Sequence, residues 1–107
     1  MIKNQKYKPN RAVFVDVDDT LVIKGRLNEP LIRWVKHMAR RGFSTYLWSS
    51  AGADHAWDVA EANGVLFYFD HVIDKPGIIV DDKGWSWTKY THVASMDEVR
   101  EVVANID

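Results

Sequence analysis

Continuous apolar runs alternate with amphipathic segments along this chain, and the pattern predicts strands and helices in turn. An apolar run of strand length without polar alternation is typical of a strand that a parallel sheet buries on both faces. The predicted strands are 12–17, 43–48, 71–74, 77–80 and 91–94. The segment 21–27 has a glycine inside it and predicts a turn or small hairpin.

Apolar side chains at helical spacing predict three helices between these strands. The first lies between Asn28, a good N-cap residue, and Gly42, a residue type that often ends helices. The second spans 53–63 and stops at Gly64, and the third opens with a capping box at 95–98. Strands that alternate with helices predict one α/β domain, with a mainly parallel sheet of about five strands flanked by helices.

Composition and charge restrict the class of protein without naming a function. The 107 residues suit one domain, in which residues 1–11 predict a flexible basic arm and 12–107 the α/β domain. The net charge of −1 selects neither nucleic acid nor membrane as a partner. The chain has no cysteine, which excludes disulfides and thiolate metal sites, and no apolar run follows its N-terminal charges. We therefore expect a cytoplasmic protein that is not anchored in a membrane.

Two of the predicted strands end abruptly in acid. Asp16 and Asp18 follow the first strand, and Asp81 and Asp82 follow the fourth. Ligands of open α/β sheets bind beyond the carboxyl ends of the strands, so we expect these acids to meet at one edge of the sheet. Carboxylates about 4 Å apart repel each other by roughly 4 kcal/mol at an effective dielectric constant of about 20, which a cation relieves. Oxygen ligands of this kind favour Mg²⁺.

Four short motifs occur in a fixed order, each at or near the end of an apolar strand. They are Asp16-x-Asp18-x-Thr20, Ser49, Lys75-Pro76 and Asp81-Asp82. The set resembles the four motifs of the haloacid dehalogenase (HAD) superfamily, and the resemblance covers about 13–82. It implies a Rossmann-like domain of the HAD type. The segments 21–28 and 51–74 are too short to hold the lid domain found in many members, so the chain resembles the compact, capless ones.

The resemblance implies a phosphatase that works through an aspartyl-phosphate intermediate. Asp16 would attack phosphorus, and Asp18 would protonate the leaving oxygen and then deprotonate the attacking water. Ser49 would donate a hydrogen bond to a phosphoryl oxygen, and Lys75 would place positive charge beside it. Because the dehalogenases of the family lack an acid at the position of Asp18, its presence favours phosphate chemistry.

The same resemblance implies a Mg²⁺ site. Asp16 and Asp81 would provide carboxylate ligands, and Asp18 would contribute its main-chain carbonyl. Asp82 would either bind the metal or only orient Asp81. The cation would allow two anions, the carboxylate and the phosphate, to approach each other.

Other functions stay open beside this one. The basic arm and the paired Trp85 and Trp87 suit a phosphatase of nucleic-acid ends, in which the indoles stack on bases. Alternatively, the two indoles cover the sheet. Another possibility is a catalytically degenerate family member, which would bind phosphate and Mg²⁺ without turnover.

Only residues 76–80 separate Lys75 from Asp81, which leaves no room for a helix and predicts an exposed sheet face. A homo-oligomer would cover that face, and an open site accepts a small or a macromolecular phosphorylated substrate.

Overall fold

The computed structural model describes residues 8–106, which form an α/β fold. In chain order the elements are β1 (Ala12–Asp16), β2 (Val22–Ile23), β3 (Arg26–Leu27), α1 (Glu29–Arg40), β4 (Ser44–Ser49), α2 (Ala53–Ala62), β5 (His71–Asp74) and α3 (Met96–Ala104), with 3₁₀ turns at Leu66–Tyr68 and Gly84–Tyr90. The strands β1, β4 and β5 form a parallel sheet in that order, and β2 pairs with β3 in a hairpin. The predicted α/β class with a parallel sheet and helices is confirmed.

The hydrophobic core lies between one face of this sheet and the helices. Val13 and Val15 of β1 and Leu47 of β4 are buried there, in one cluster with buried side chains of α1, α2 and α3. The two strands pair with Val15 opposite Leu47, so their alternate side chains point to the same layer. The packing in this layer fixes the positions of β1 and β4, and therefore where their last residues lie.

The opposite face of the sheet carries a row of aromatic rings. Phe14, Tyr46 and His71 are register partners on the three strands. Their rings stack with centroids 4.4 Å apart for Phe14 and Tyr46 and 4.6 Å for Tyr46 and His71. Trp48 lies tilted beside Phe14 at 4.8 Å. Since Phe14 is still 44% exposed, this face of the sheet is only partly covered. The exposed face predicted from the short connection after Lys75 is expected near a strand at 77–80, which does not form.

The hairpin of β2 and β3 holds the turn that follows β1. Lys24 and Gly25 both have positive φ angles of 51° and 75°, the geometry of a two-residue hairpin turn. The predicted turn or small hairpin is thus confirmed. The Asn28 side chain does not cap α1 as expected; its amide donates to the Thr20 carbonyl at 2.9 Å instead. Asn28 therefore fastens the end of the hairpin to the turn after β1.

Two predicted strands, 77–80 and 91–94, have no strand geometry in the structure. Ile78 and Val80 are almost fully exposed, and Val80 reaches 97%. A short apolar run becomes a strand only where backbone pairing and side-chain burial offset the entropy lost on ordering it. The parallel sheet among residues 8–106 has three strands, so the expectation of about five strands in one sheet is not met.

The structure tests the prediction for the start of the last helix but not the prediction for the N-terminal arm. Residues 1–7, most of the predicted basic arm, lie outside the described residues, as does the last residue. The capping box at the start of α3 is confirmed: Ser95 Oγ accepts from the Glu98 amide at 3.1 Å, and the Glu98 side chain accepts from the Ser95 amide. The helices between residues 8 and 106 include none with the length and apolar character needed to cross a bilayer.

Candidate active site

Asp16 and Lys75 meet at the carboxyl end of the parallel sheet. Asp16 is the last residue of β1, and Lys75 directly follows β5, whose last residue Asp74 is the register partner of Ser49. The Lys75 amide donates to the Ser49 carbonyl at 3.0 Å, which continues the ladder by one residue. Lys75 Nζ then lies 3.1 Å from Asp16 Oδ1. The structure thus joins two predicted site residues that are 59 positions apart, since 75 − 16 = 59.

Two further contacts fix the directions of these groups. Lys75 Nζ lies 5.6 Å from the centroid of the Trp48 ring, so the lysine crosses β4 over an aromatic surface. Thr20 Oγ1 donates to Asp16 Oδ2 at 3.4 Å. The side chains of Lys75 and Asp16 are 31% and 37% exposed, so solvent screens the pair, and we expect it to add no more than about 1 kcal/mol to stability. Its geometry therefore matters more for chemistry than for folding.

Asp18 lies two residues beyond the end of β1, outside the regular strand that ends with Asp16. The fully buried Val17 separates it from Asp16, and Asp18 forms an isolated bridge to Val22 at the base of the hairpin. Its carboxylate is 65% exposed and faces His55 in the first turn of α2. His55 Nε2 lies 3.2 Å and 3.1 Å from the two carboxylate oxygens. This pairing was not predicted from the sequence.

Ser49 is buried at the end of β4, where its hydroxyl braces the following turn. Its Oγ accepts a hydrogen bond from the Ala51 amide at 3.0 Å. A hydroxyl that accepts one bond keeps its own proton for another acceptor. Ser50, the neighbour that could compete with it for a phosphate contact, is exposed. Ser49 is thus the last residue of β4, the strand that lies between β1 and β5.

Asp74 contributes to the site in a way that the sequence did not suggest. Its Oδ1 accepts from the Ala53 amide and so satisfies a free backbone donor at the start of α2. Gly52 precedes this helix with φ 107°, and a Cβ there would lie 3.4 Å from the same carboxylate oxygen. Asp74 therefore ties β5, which leads into Lys75, to α2, which carries His55.

The second acidic pair does not join this group. Asp81 Oδ1 accepts from the Lys83 amide at 2.7 Å within its own turn, and Asp82 lies 4.0 Å from Lys83 Nζ. No three acidic or histidine side chains among residues 8–106 are grouped so that they could hold a metal. The expectation that four acids meet at one edge is therefore not met, because 77–80 does not form the strand that would carry Asp81 there.

The arrangement also decides whether a Mg²⁺ ion fits. Asp16 is the last residue of β1, and its two oxygens already contact Lys75 and Thr20. Asp18 faces His55, and Asp81 is bonded within its own turn. In this arrangement Asp81 and Asp82 are not grouped with Asp16, so a Mg²⁺ ion there would depend on Asp16 together with oxygens from water and phosphate.

Comparison of the chain with family models, with curated proteins and with solved structures found no match. A function for this chain is therefore inferred from its motifs and from the contacts described above.

Proposed function

We propose that this chain is a capless phosphatase of the HAD type, which hydrolyses phosphomonoesters through an aspartyl-phosphate on Asp16. The observation that supports this most is the contact of Asp16 with Lys75 at the ends of β1 and β5. A carboxylate next to a cation is a suitable place for a phosphoryl group, since the ammonium offsets the charge of both anions. The open sheet edge accommodates a small or a macromolecular phosphorylated substrate.

In the first step, Asp16 Oδ attacks phosphorus and the bond from phosphorus to the leaving oxygen breaks. The leaving oxygen takes a proton from the Asp18 carboxylic acid, so that an alcohol departs and Asp18 becomes a carboxylate. Lys75 stays beside the phosphoryl oxygens, and the Ser49 hydroxyl donates a hydrogen bond to one of them. The products of this step are the aspartyl-phosphate and the free alcohol.

In the second step, a water molecule attacks the phosphorus of the aspartyl-phosphate. The Asp18 carboxylate takes the proton of the water while the acyl–phosphate bond breaks. Inorganic phosphate leaves, Asp16 is again a carboxylate and Asp18 is again protonated. The net reaction consumes one phosphomonoester and one water and gives one alcohol and one phosphate.

Mg²⁺ dependence is part of the proposal, although no step above is assigned to the ion. When bound, Mg²⁺ would supply positive charge between the carboxylate and the phosphate. Its ligands would be Asp16, the main-chain carbonyl of Asp18, and Asp81 or Asp82. This requires Asp81 to approach Asp16, a rearrangement of 77–82 that differs from the exposed course described above.

The proposal is tested by release of the alcohol from an aryl phosphate, with and without Mg²⁺. We expect Asp16→Asn to lower kcat/KM by at least about 10³-fold, because an amide is a poor nucleophile. Asp58→Asn, on the exposed side of α2, is the control and should leave the rate unchanged. Activity that survives in Asp16→Asn would refute Asp16 as the nucleophile, and a wild type inactive on a broad phosphoester panel would favour the degenerate binding module.

A phosphatase of nucleic-acid ends is the second candidate. Trp85 is 71% exposed, so it does not cover the sheet and is free to stack on a base. Its ring lies 6.4 Å from that of Trp87. If this candidate is correct, 3′- or 5′-phosphorylated oligonucleotides release phosphate faster than glycerol phosphate does, and Trp85→Ala removes the advantage. Equal rates would exclude it.

We also propose that a second copy of the chain covers the aromatic face of the sheet. Phe14 lies on this face with 44% of its surface exposed, in contact with Tyr46 and Trp48. An exposed apolar surface favours association. Gel filtration at micromolar concentration should give the mass of a dimer or larger species, and elution as a monomer would contradict the proposal.

A further inference from the structure

The contact between His55 and Asp18 joins a helix to the loop that carries the second acid. His55 Nε2 lies within hydrogen-bonding distance of both Asp18 oxygens, at 3.2 Å and 3.1 Å. Within residues 8–106, His55 is the side chain that hydrogen-bonds to this carboxylate. At 65% exposure, Asp18 has little packing to fix its direction, so the direction of its carboxylate depends on this contact.

The helix that presents His55 is firmly placed. Ala56 and Ala60 of α2 are fully buried in the core. The first turn of the helix is held by the Asp74 carboxylate, which accepts from the Ala53 amide. His55 therefore stands on a fixed support, whereas Asp18 follows the end of a strand.

We propose that His55 is a positioning residue, which holds the Asp18 carboxyl group where it can exchange a proton with the leaving oxygen. The inference rests on the proposed phosphatase function. His55 touches neither phosphorus nor the leaving group in this scheme. Its hydrogen bond reduces the number of orientations open to Asp18 and so raises the fraction of bound substrate in which the proton can move. No change in the protonation of His55 is needed.

The leaving group separates this effect from a general loss of structure. A nitrophenolate leaves readily as an anion, whereas an alkoxide needs a proton from Asp18 as the bond to phosphorus breaks. Loss of positioning should therefore lower kcat/KM for alkyl phosphates and spare it for activated aryl phosphates. This parameter covers the steps up to release of the alcohol and not the later hydrolysis of the aspartyl-phosphate, in which Asp18 serves both substrates alike. A residue that only stabilises the fold would affect both substrates alike.

The test compares kcat/KM for glycerol phosphate and for p-nitrophenyl phosphate in wild type and His55→Ala. We expect a loss of about 10- to 100-fold for glycerol phosphate and less than about threefold for p-nitrophenyl phosphate. His55→Gln, whose amide nitrogen can donate from a position similar to Nε2, should recover most of the lost rate. The matched control is His92→Ala, which removes another histidine–carboxylate pair, His92 with Glu98 at 2.6 Å, and should change neither rate.

Double substitution adds a second criterion. If His55 acts through Asp18, Asp18→Asn and the double variant with His55→Ala should have the same kcat for glycerol phosphate. Additive losses, equal losses on both substrates, or failure of His55→Gln to recover activity would each overturn the inference.

The Asp16→Asn variant separates this inference from the function on which it rests. If Asp16→Asn is inactive while His55→Ala behaves as wild type, the phosphatase stands and the positioning role falls. If wild type shows no turnover, or Asp16→Asn keeps it, both proposals are overturned. Melting temperatures measured for every variant identify a loss of rate that comes from unfolding.

Discussion

The two acid-tipped apolar runs of this chain, 13–20 and 78–82, are similar in sequence and different in structure. In the first, Val13, Val15 and Val17 are buried, and the acids that follow have Lys75 and His55 as partners. In the second, the apolar side chains are exposed, and within residues 8–106 the acids contact their neighbour Lys83. The same local pattern thus gives a site in one place and an exposed segment in the other.

The difference lies in the neighbours of each run. The first run pairs with β4 from Val13 to Asp16, and the helices cover its inner face. The second follows β5 after only three residues, 75–77, and no described strand pairs with it. A run of acids after apolar residues therefore marks a site only where the rest of the fold provides a sheet partner and opposite charges.

Among the tests that compare the two runs, the largest effect is expected when the positive charge beside the first acid, Asp16, is removed. Lys75→Met keeps the apolar stem and removes the ammonium 3.1 Å from Asp16, so we expect kcat/KM to fall by about 10²- to 10³-fold. Because the pair is partly exposed, the free energy of unfolding should change by at most about 1 kcal/mol. Lys83→Met, which removes the lysine beside Asp82 in the second run, is the control. A similar loss in both variants would mean that the two runs serve the same site.

A matched pair of valines compares the packing of the two runs. Val17→Ala removes two methyl groups from a fully buried position, and we expect a loss of about 2 kcal/mol in the free energy of unfolding. Val80→Ala, at 97% exposure, should change it by less than about 0.5 kcal/mol. Urea unfolding measures both. A large loss in Val80→Ala would show that the second run packs against the protein in solution.

The Mg²⁺ requirement tests whether the second run joins the site when the ion is present. If the second run moves to Asp16 when the ion binds, Asp81→Asn should raise the Mg²⁺ concentration for half-maximal activity by at least about tenfold. Asp19→Asn is the control in the first run; its backbone has φ 59°, which asparagine tolerates. An unchanged Mg²⁺ response in Asp81→Asn would leave the second run outside the site, as in the structure.

The smallest effect concerns Glu98, an acid with a partner close to it in sequence. The hydrogen bond from the His92 side chain, and after it that from the Ser95 amide, holds the pKa of Glu98 below its ordinary value of 4.5. A lowered carboxyl pKa stabilises the fold above the ordinary pKa, and this stability is lost as the pH falls through the folded value. Wild type should therefore lose slightly more melting temperature between pH 6 and pH 3 than Glu98→Gln. Equal losses would show that the bond is absent in solution.

Local sequence signals were enough to predict most of the elements. Periodicity and glycines predicted α1 and α2, and the capping box at Ser95 marked the start of α3. The failures, 77–80 and 91–94, are short segments whose structure depends on a partner strand elsewhere in the chain. Such a partner is decided by the packing of the whole sheet, which a short apolar run does not reveal.

The candidate site shows the same division between local and distant information. The placement of Asp16, Ser49 and Lys75 at strand ends follows from apolar runs that stop at each of them or just before them. The role of His55 could not be predicted, because its contact with Asp18 depends on how α2 crosses the sheet. Its position in the first turn after β4 was the available signal, since that turn lies at the same edge of the sheet.

The reach of Lys75 across β4 makes the candidate chemistry depend on the full width of the sheet. The cation follows β5, a peripheral strand of four residues, whereas the carboxylate belongs to β1 on the far side. A brief separation of β5 from its neighbour would withdraw the ammonium while the remaining core stayed intact. Catalytic activity would then be lost at a lower denaturant concentration than global unfolding requires, because the short outer strand β5 separates first.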